Sequence, residues 1–163
     1  MAGADPKPVI VGLISDTHGL LRADVHDALA GVSMILHAGD VGGDAIIDEL
    51  QLIAPVHAVR GNTDAPGQPR LAERIDRAIG GLRVHVSHGD EVGSPTPASL
   101  AAAYEADIIV YGHTHRPLIA RVGGRLVVNP GAAGQRRFSL LPSVARLTIL
   151  HGVAEAEIVM LAG

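Results

Sequence analysis

Val9-Ile10-Val11-Gly12-Leu13-Ile14-Ser15-Asp16-Thr17-His18 is an apolar, β-branched run that breaks abruptly into Asp, Thr and His. Apolar residues without polar alternation, over so short a length, read as a strand buried on both faces, the kind that parallel sheets use. Asp16 and His18, two apart past its end, can offer one metal ion an oxygen and a nitrogen. Four further turns repeat the theme: Gly39-Asp40, Gly61-Asn62-Thr63-Asp64, Ser87-His88-Gly89-Asp90 and Gly112-His113-Thr114-His115. Each follows a stretch rich in Val, Ile, Leu or Ala. Five strand ends thus deliver Asp, Asn and His, and none delivers cysteine.

Working outward, residues 9–15 read as the first strand, 22–29 as a helix ended by Gly31, and 34–38 as the second strand. Asp44 can cap a helix running through Leu50, and residues 56–59 make a third strand before the Gly61-Asn62 turn. This alternation of β and α favours a parallel sheet. From residue 74 strands dominate. Residues 74–79 and 82–87 flank Gly80-Gly81, a two-residue hairpin signal. Thr96 can cap a helix through Tyr104, and 108–111, 118–122, 125–129, 143–150 and 154–160 read as strands. Gly123-Gly124 and His151-Gly152 are the turns expected between the later ones. The pattern predicts a β-sandwich with helices outside.

The 163 residues suit one domain spanning 1–163, large enough to bury a core without disulfides. Hydrophobic residues make up 47% of the chain and aromatics only 2%, so that core must be aliphatic. The absence of cysteine excludes a disulfide scaffold and thiolate metal ligation, which turns metal chemistry toward His, Asp and Asn. A net charge of −4 argues against a broad nucleic-acid surface, which needs clustered Lys and Arg. Small anionic substrates stay compatible, because a bound cation supplies positive charge locally. The start of the chain, with Asp5 and a lone Lys7, lacks the basic region and long apolar segment of a signal peptide. No stretch approaches the ~20 apolar residues of a membrane span. The expected compartment is the cytoplasm, and a homo-oligomer is left open.

Taken singly, each motif has a plainer reading: Asp and Asn beside glycine are common turn formers, and a histidine at a strand end can be a satisfied polar residue. Taken together, Asp16, His18, Asp40, Asn62, His88, His113 and His115 are seven oxygen or nitrogen donors. That is too many for one tetrahedral zinc and suits two ions. Ligand-bearing loops at the carboxyl ends of strands converge on one crevice in open α/β sheets, and glycine beside the ligands lets the backbone turn there.

The order Asp-x-His, Gly-Asp, Gly-Asn, His-Gly-Asp and Gly-His-Thr-His resembles the calcineurin-like metallophosphoesterase superfamily, and the compact length is similar to its small bacterial and archaeal phosphodiesterases. The resemblance covers the chain from Val9 to about Gly134. It implies an α/β fold, a four-layer α/β/β/α sandwich of two mixed β-sheets flanked by helices. It further implies that Asp16, His18 and His115 hold one divalent ion, that Asn62, His88 and His113 hold the other, and that Asp40 bridges them. Asp40, Asn62 and His113 are then also catalytic. The implied activity is metal-dependent phosphodiester hydrolysis of a small substrate, by in-line attack of a hydroxide between two ions. Manganese is the first expectation, with iron, nickel or zinc as alternatives.

Many members of this superfamily carry His where this chain has Thr63, and that histidine is given the task of assisting the leaving group. Thr63 cannot supply a proton near neutral pH. Asp64 is expected to hold the Asn62 turn by accepting backbone hydrogen bonds. His26, His37, His57, His85 and His151 match no motif and read as structural or surface residues. The Asn129-Pro130-Gly131-Ala132-Ala133-Gly134 loop with Arg136 and Arg137 resembles a family loop beside the site. Its amides or an arginine could hold a phosphate, or it could be a plain strand-ending turn. A retromer subunit of the same superfamily serves mainly as a scaffold, so a non-catalytic binding module is the alternative. Here every ligand position is filled.

Overall fold

The computed structural model describes residues 7–136 and 139–162. In chain order the first elements are β1 (Val9–Ile14), α1 (Val25–Ala28), β2 (Met34–His37), α2 (Asp44–Leu50), β3 (Val56–Val59) and β4 (Leu71–Ala72). They continue as β5 (Ile75–Ile79), β6 (Leu82–Val86), a 3₁₀ turn (Asp90–Val92), α3 (Pro97–Ala103) and β7 (Ile108–Val110). The last are β8 (Leu118–Val122), β9 (Arg125–Asn129), β10 (Ser143–Leu150) and β11 (Val153–Met160). One sheet has six strands in the order β11-β10-β1-β2-β3-β4, the other five in the order β5-β6-β7-β9-β8. Both are mixed. β1 to β4 run parallel, β10 lies antiparallel beside β1, and β11 lies antiparallel beside β10. β6, β7 and β9 run parallel, with β5 and β8 antiparallel at the edges.

Three separate hydrophobic cores make this a four-layer structure. The central one lies between the sheets and takes alternate residues of the strands, among them Val11 and Leu13 of β1, Leu36 of β2, Ile108 and Val110 of β7, and Leu147 of β10. The intervening residues point outward. Ile14, Ile35 and Val144 pack against Val25, Leu29, Ile46, Ile47 and Leu50 of the α1 and α2 layer. Ile109, Tyr111 and Val127 pack against Leu100 and Ala101 of α3 on the far side. A strand buried on both faces must be apolar at consecutive positions, which is why β1, β2 and β7 carry unbroken runs of Val, Ile and Leu.

The three hairpin turns fall where the glycines predict. Gly80-Gly81, Gly123-Gly124 and His151-Gly152 all have positive φ at both central residues, as a type I′ turn requires. The helices differ more from expectation. α1 is only four residues long, because Arg22 donates to Gly134 O and Ala162 O, and Asp24 accepts from Ala162 N. Those side chains tie the segment to other loops instead of capping a longer helix. Asp44 does not cap α2: Gly43 holds the N-cap position, and Asp44 sits in the first turn, where its charge favours the helix dipole. Thr96 does cap α3, through a reciprocal capping box with Ser99. The two-residue β4 and the 3₁₀ turn are too short for sequence periodicity to signal. Among the described residues no helix is long and apolar enough to cross a membrane.

Candidate metal centre

All five ligand-bearing turns leave the carboxyl ends of parallel strands, so they emerge on the same side of the sandwich: Asp16 and His18 after β1, Asp40 after β2, Asn62 after β3, His88 after β6, and His113 and His115 after β7. The turns are laced together before any side chain is considered. Asp16 N donates to Gly39 O at 3.0 Å, His18 N to Asp40 O at 2.9 Å, and Gly112 N to His88 O at 3.0 Å. Other bonds cross between the sheets, among them these two. His113 N donates to Asp16 Oδ2 at 3.2 Å, and His88 Nδ1 lies 2.8 Å from Ala38 O.

Each buried carboxylate divides its oxygens between protein and crevice. Asp16 Oδ2 accepts from Ser15 Oγ at 2.6 Å and from His113 N, while Oδ1 faces His115 Nε2 at 3.3 Å, His18 Nε2 at 3.8 Å and His88 Nε2 at 3.9 Å. Asp40 Oδ1 accepts from Thr63 N at 2.9 Å, and Oδ2 faces His88 Nε2 at 3.3 Å and His18 Nε2 at 3.7 Å. His18 and His115 approach each other at 3.4 Å between their Nε2 atoms. On the other side, His113 Nδ1 lies 3.2 Å from Asn62 Oδ1, and the His113 ring stands edge-on to His88 with centroids 5.2 Å apart. All seven residues singled out in the sequence therefore line one crevice.

The backbone at the crevice is strained. Among the described residues six non-glycine residues have positive φ, and five of them are Asp16, His18, Asp40, His113 and His115. Left-handed backbone is costly for residues with a Cβ, and it concentrates where function demands a particular side-chain direction. Glycines clear the same space. A Cβ on Gly61 would collide with the Asp40 carboxylate, and one on Gly112 with Ser15 Oγ and Asp16.

The chain has known relatives. The sequence profile of the Calcineurin-like phosphoesterase superfamily domain matches residues 9–152. The chain belongs to that superfamily. A protein of Methanothermobacter thermautotrophicus named a probable metallophosphoesterase is 35% identical over 164 residues, covering 93% of this chain and 92% of its own. A phosphodiesterase of Methanocaldococcus jannaschii is 27% identical, over 74% of this chain and 82% of its own. Among solved structures, wild-type Vps29 of Entamoeba histolytica in complex with zinc superposes with a TM-score of 0.75 at 26% identity, covering 93% of this chain and 98% of that one.

Calcineurin-like phosphoesterases are metal-dependent, and the residues present here fit a cation. Asp16 Oδ1, His88 Nε2 and His115 Nδ1 are buried polar atoms without a hydrogen-bond partner, a condition that normally costs free energy unless something satisfies it. Two clusters have ligand atoms close enough to share an ion, Asp16 with His18 and His115, and Asp16 with Asp40 and His88. Charge is unbalanced in the same sense. Burial opposes charging His88, but the Asp40 and Asp16 carboxylates outweigh it and lift its pKa to about 9, so a proton there stands in for positive charge. Burial likewise opposes ionising Asp40, and the neighbouring His88 together with the bond from Thr63 N overcomes it, holding that carboxyl well below its usual range.

Behind the ligands sits a layer that sequence reasoning found only in part. Asp64 accepts from Gly61 N at 2.9 Å, as expected, and also from Val41 N and Gly42 N at 3.1 Å each, so one carboxylate pins both the Asn62 and Asp40 turns. Buried His37 joins Thr17 Oγ1 at 3.0 Å to Gly39 N at 3.1 Å. Asn129 Nδ2 donates to Gly112 O and Thr114 Oγ1, and its Oδ1 accepts from Gly131 N, locking the His113 to His115 turn. Ser15, Thr17 and Asn129 carried no signal beyond proximity to motifs.

The other histidines stay out of the crevice. His85 is buried between Asp76 and Ser87 and stacks on Tyr104, while His26 pairs with Glu49 on the surface. In the Asn129–Gly134 loop, the amides of Gly131, Ala133 and Gly134 donate to Asn129 Oδ1, Ser15 O and Asp16 O, so they are already used and do not await a phosphate. Arg136 is exposed, and Arg137 lies outside the described residues.

Proposed function

We propose that this protein is a metal-dependent phosphodiesterase whose crevice holds two divalent cations. Asp16, His18 and His115 would hold one, Asn62, His88 and His113 the other, with Asp40 shared. Asp40 suits the shared role better than Asp16, because its Oδ2 lies between His18 of one set and His88 of the other and is the nearer carboxylate to His88, at 3.3 Å against 3.9 Å. The observation that carries this reading is the buried, unpartnered pair Asp16 Oδ1 and His88 Nε2. Two such ions supply a hydroxide near neutral pH and neutralise the oxygens of the phosphate under attack. The chain's own residues do the rest. Thr63 N and Ser15 Oγ each hold one oxygen of a carboxylate so that the other faces the crevice. The Ala38 carbonyl takes the Nδ1 proton of His88 and turns its Nε2 inward, the orientation a ligand imidazole needs. With only imidazole, carboxylate and amide donors, manganese is the first choice, and iron, nickel and zinc remain suitable.

The likeness to Vps29 supports a second reading, a scaffold on the same fold, and because a Vps29 itself binds zinc, ligands alone do not separate the two. Turnover does. Purified protein should carry close to two metal ions per chain and hydrolyse bis(p-nitrophenyl) phosphate, and Asp40→Ala should lose both ions and turnover, more completely than His18→Ala. An Asp40→Ala variant with both metals and near-normal turnover would overturn the dinuclear assignment. A metal-loaded wild type inert toward mono- and diesters would favour the scaffold.

A further inference from the structure

Beside Asn62 the crevice continues into a cleft of about 350 Å³, walled by Arg60, Glu73, Arg74, Asp90, Glu91 and Tyr104. Its position, sharing Asn62 and Gly61 with the metal centre, makes it the natural berth for one organic portion of an ester whose phosphorus sits in the crevice. The cleft's charges are not equally available. Arg60 Nη2 pairs with Glu73 at 3.2 and 3.5 Å while its buried Nε has no hydrogen-bond partner among the described residues, and Arg74 Nε faces Asp76 at 3.5 Å. Glu91 has only neutral donors, Gly89 N at 2.9 Å and Tyr104 Oη at 2.8 Å. Burial opposes ionising it, but hydrogen bonding, from the Ser87 side chain first and then Tyr104 and Gly89 N, outweighs burial and holds its carboxyl below the usual range, so it is ionised at neutral pH. Asp90 makes no ion pair among the described residues. Two carboxylates are therefore left without a countercharge on the wall, and both cations already have one. An anionic group entering here would meet repulsion, whereas an ammonium would complete the wall.

Resting on the phosphodiesterase reading, we infer that this cleft selects an alcohol portion bearing a positive charge, an amino alcohol or quaternary ammonium alcohol, with Asp90 and Glu91 as the specificity-determining residues. The contribution of each carboxylate is screened by water at the mouth, so the combined preference should be about ten-fold at low salt and shrink as salt rises. Three p-nitrophenyl phosphodiesters separate the possibilities: one esterified with choline, one with its uncharged isostere 3,3-dimethylbutanol, and one with a carboxylated alcohol of similar length. The expected order of kcat/KM is choline, then isostere, then carboxylate, with about ten-fold between the first two. Asp90→Asn combined with Glu91→Gln should reduce that ratio to about three-fold or less, by lowering kcat/KM for the choline ester more than for the isostere. Equal rates for choline and isostere, or a ratio untouched by the double variant, would overturn the inference while leaving the hydrolase reading intact. If none of the three substrates turns over, the hydrolase reading fails instead. Calorimetry with the metal-loaded protein then decides the cleft: phosphocholine binding more tightly than 3,3-dimethylbutyl phosphate supports it, and equal binding overturns it.

Discussion

Replacing His37 with glutamine removes a fully buried imidazole whose tautomer is fixed by its neighbours. The Thr17 hydroxyl donates to Val41 O at 2.7 Å, so Thr17 Oγ1 must accept the proton on His37 Nε2, while His37 Nδ1 accepts from Gly39 N. A second proton would go to Nδ1, which faces a donor, in a fully buried site. Burial dominates the titration, and although Asp16 and Asp64 pull the other way, it lowers the His37 pKa from 6.5 to about 4. At ~1.4 kcal/mol per pH unit that difference is worth roughly 3 kcal/mol. The unfolded chain takes up a proton below pH 6.5 and the folded one resists until about 4. The contribution is therefore complete above pH 6.5 and lost as pH falls through that window. Glutamine offers an N–H and an oxygen in place of the two ring nitrogens and does not titrate. Urea unfolding of chelator-treated wild type and His37→Gln at pH 7 and 4.5 should show the wild type losing roughly 2 to 3 kcal/mol more, since the carboxylates common to both cancel in the comparison. Parallel profiles, or a His37 ring resonance in the folded protein titrating near pH 6.5, would refute the argument.

The elevated His88 pKa has the opposite sign: in the metal-free protein its contribution to stability is complete below pH 6.5 and is lost as pH rises toward 9. A cation must displace that proton, so calorimetry in buffers of different ionisation enthalpy at pH 7 should record proton release on metal binding, and less should be seen in His88→Ala. Asn129→Ala should weaken metal binding by roughly 10- to 100-fold, measured by chelator competition, because it frees the turn that carries His113 and His115. An unchanged affinity would make Asn129 a purely structural residue. Thr63 provides no acid, so rates should depend steeply on leaving-group pKa, and Thr63→His should help alkyl esters, by up to ~10²-fold, more than aryl ones. A flat series in the wild type would mean that the proton comes from elsewhere.

The seven ligand candidates were legible because strand interiors here are almost wholly apolar, so an Asp, Asn or His beside glycine at a strand end stands out against its surroundings. The type I′ hairpins were legible for a similar reason: positive φ twice in succession favours pairs with glycine second, as in Gly80-Gly81, Gly123-Gly124 and His151-Gly152. Strand order was not. β9 lies between β7 and β8, and that placement is decided by pairing across the sheet rather than by anything local to residues 125–129. α1 was read too long because Arg22 and Asp24 look like helix residues until the C-terminal segment arrives to bond them. Asp64 could be anticipated at its own turn, where Asx chemistry is local, but not at Val41 and Gly42, more than twenty residues away.

Asp and His enter left-handed backbone more readily than most side chains, yet nothing local to these turns dictates it. Five of the candidate ligands adopt it, each at a cost on the order of 1 kcal/mol or more, and glycine, which would remove the cost, would also remove the donor atom. The conformation must therefore be imposed from outside the turns. Asp64 grips the Asp40 and Asn62 turns through three amide protons, His37 ties Thr17, between Asp16 and His18, to Gly39, and Asn129 holds the carbonyl and hydroxyl that flank His113. These anchors are themselves buried or nearly so, and they bond mainly to backbone rather than to the ligating atoms. They can thus fix where the ligand side chains point without competing for the oxygens and nitrogens that face the crevice. Strain at the ligands and polar groups behind them are two sides of one arrangement: the fold accepts unfavourable backbone in front because the hydrogen bonds at the back leave the turns no lower-energy shape to relax into.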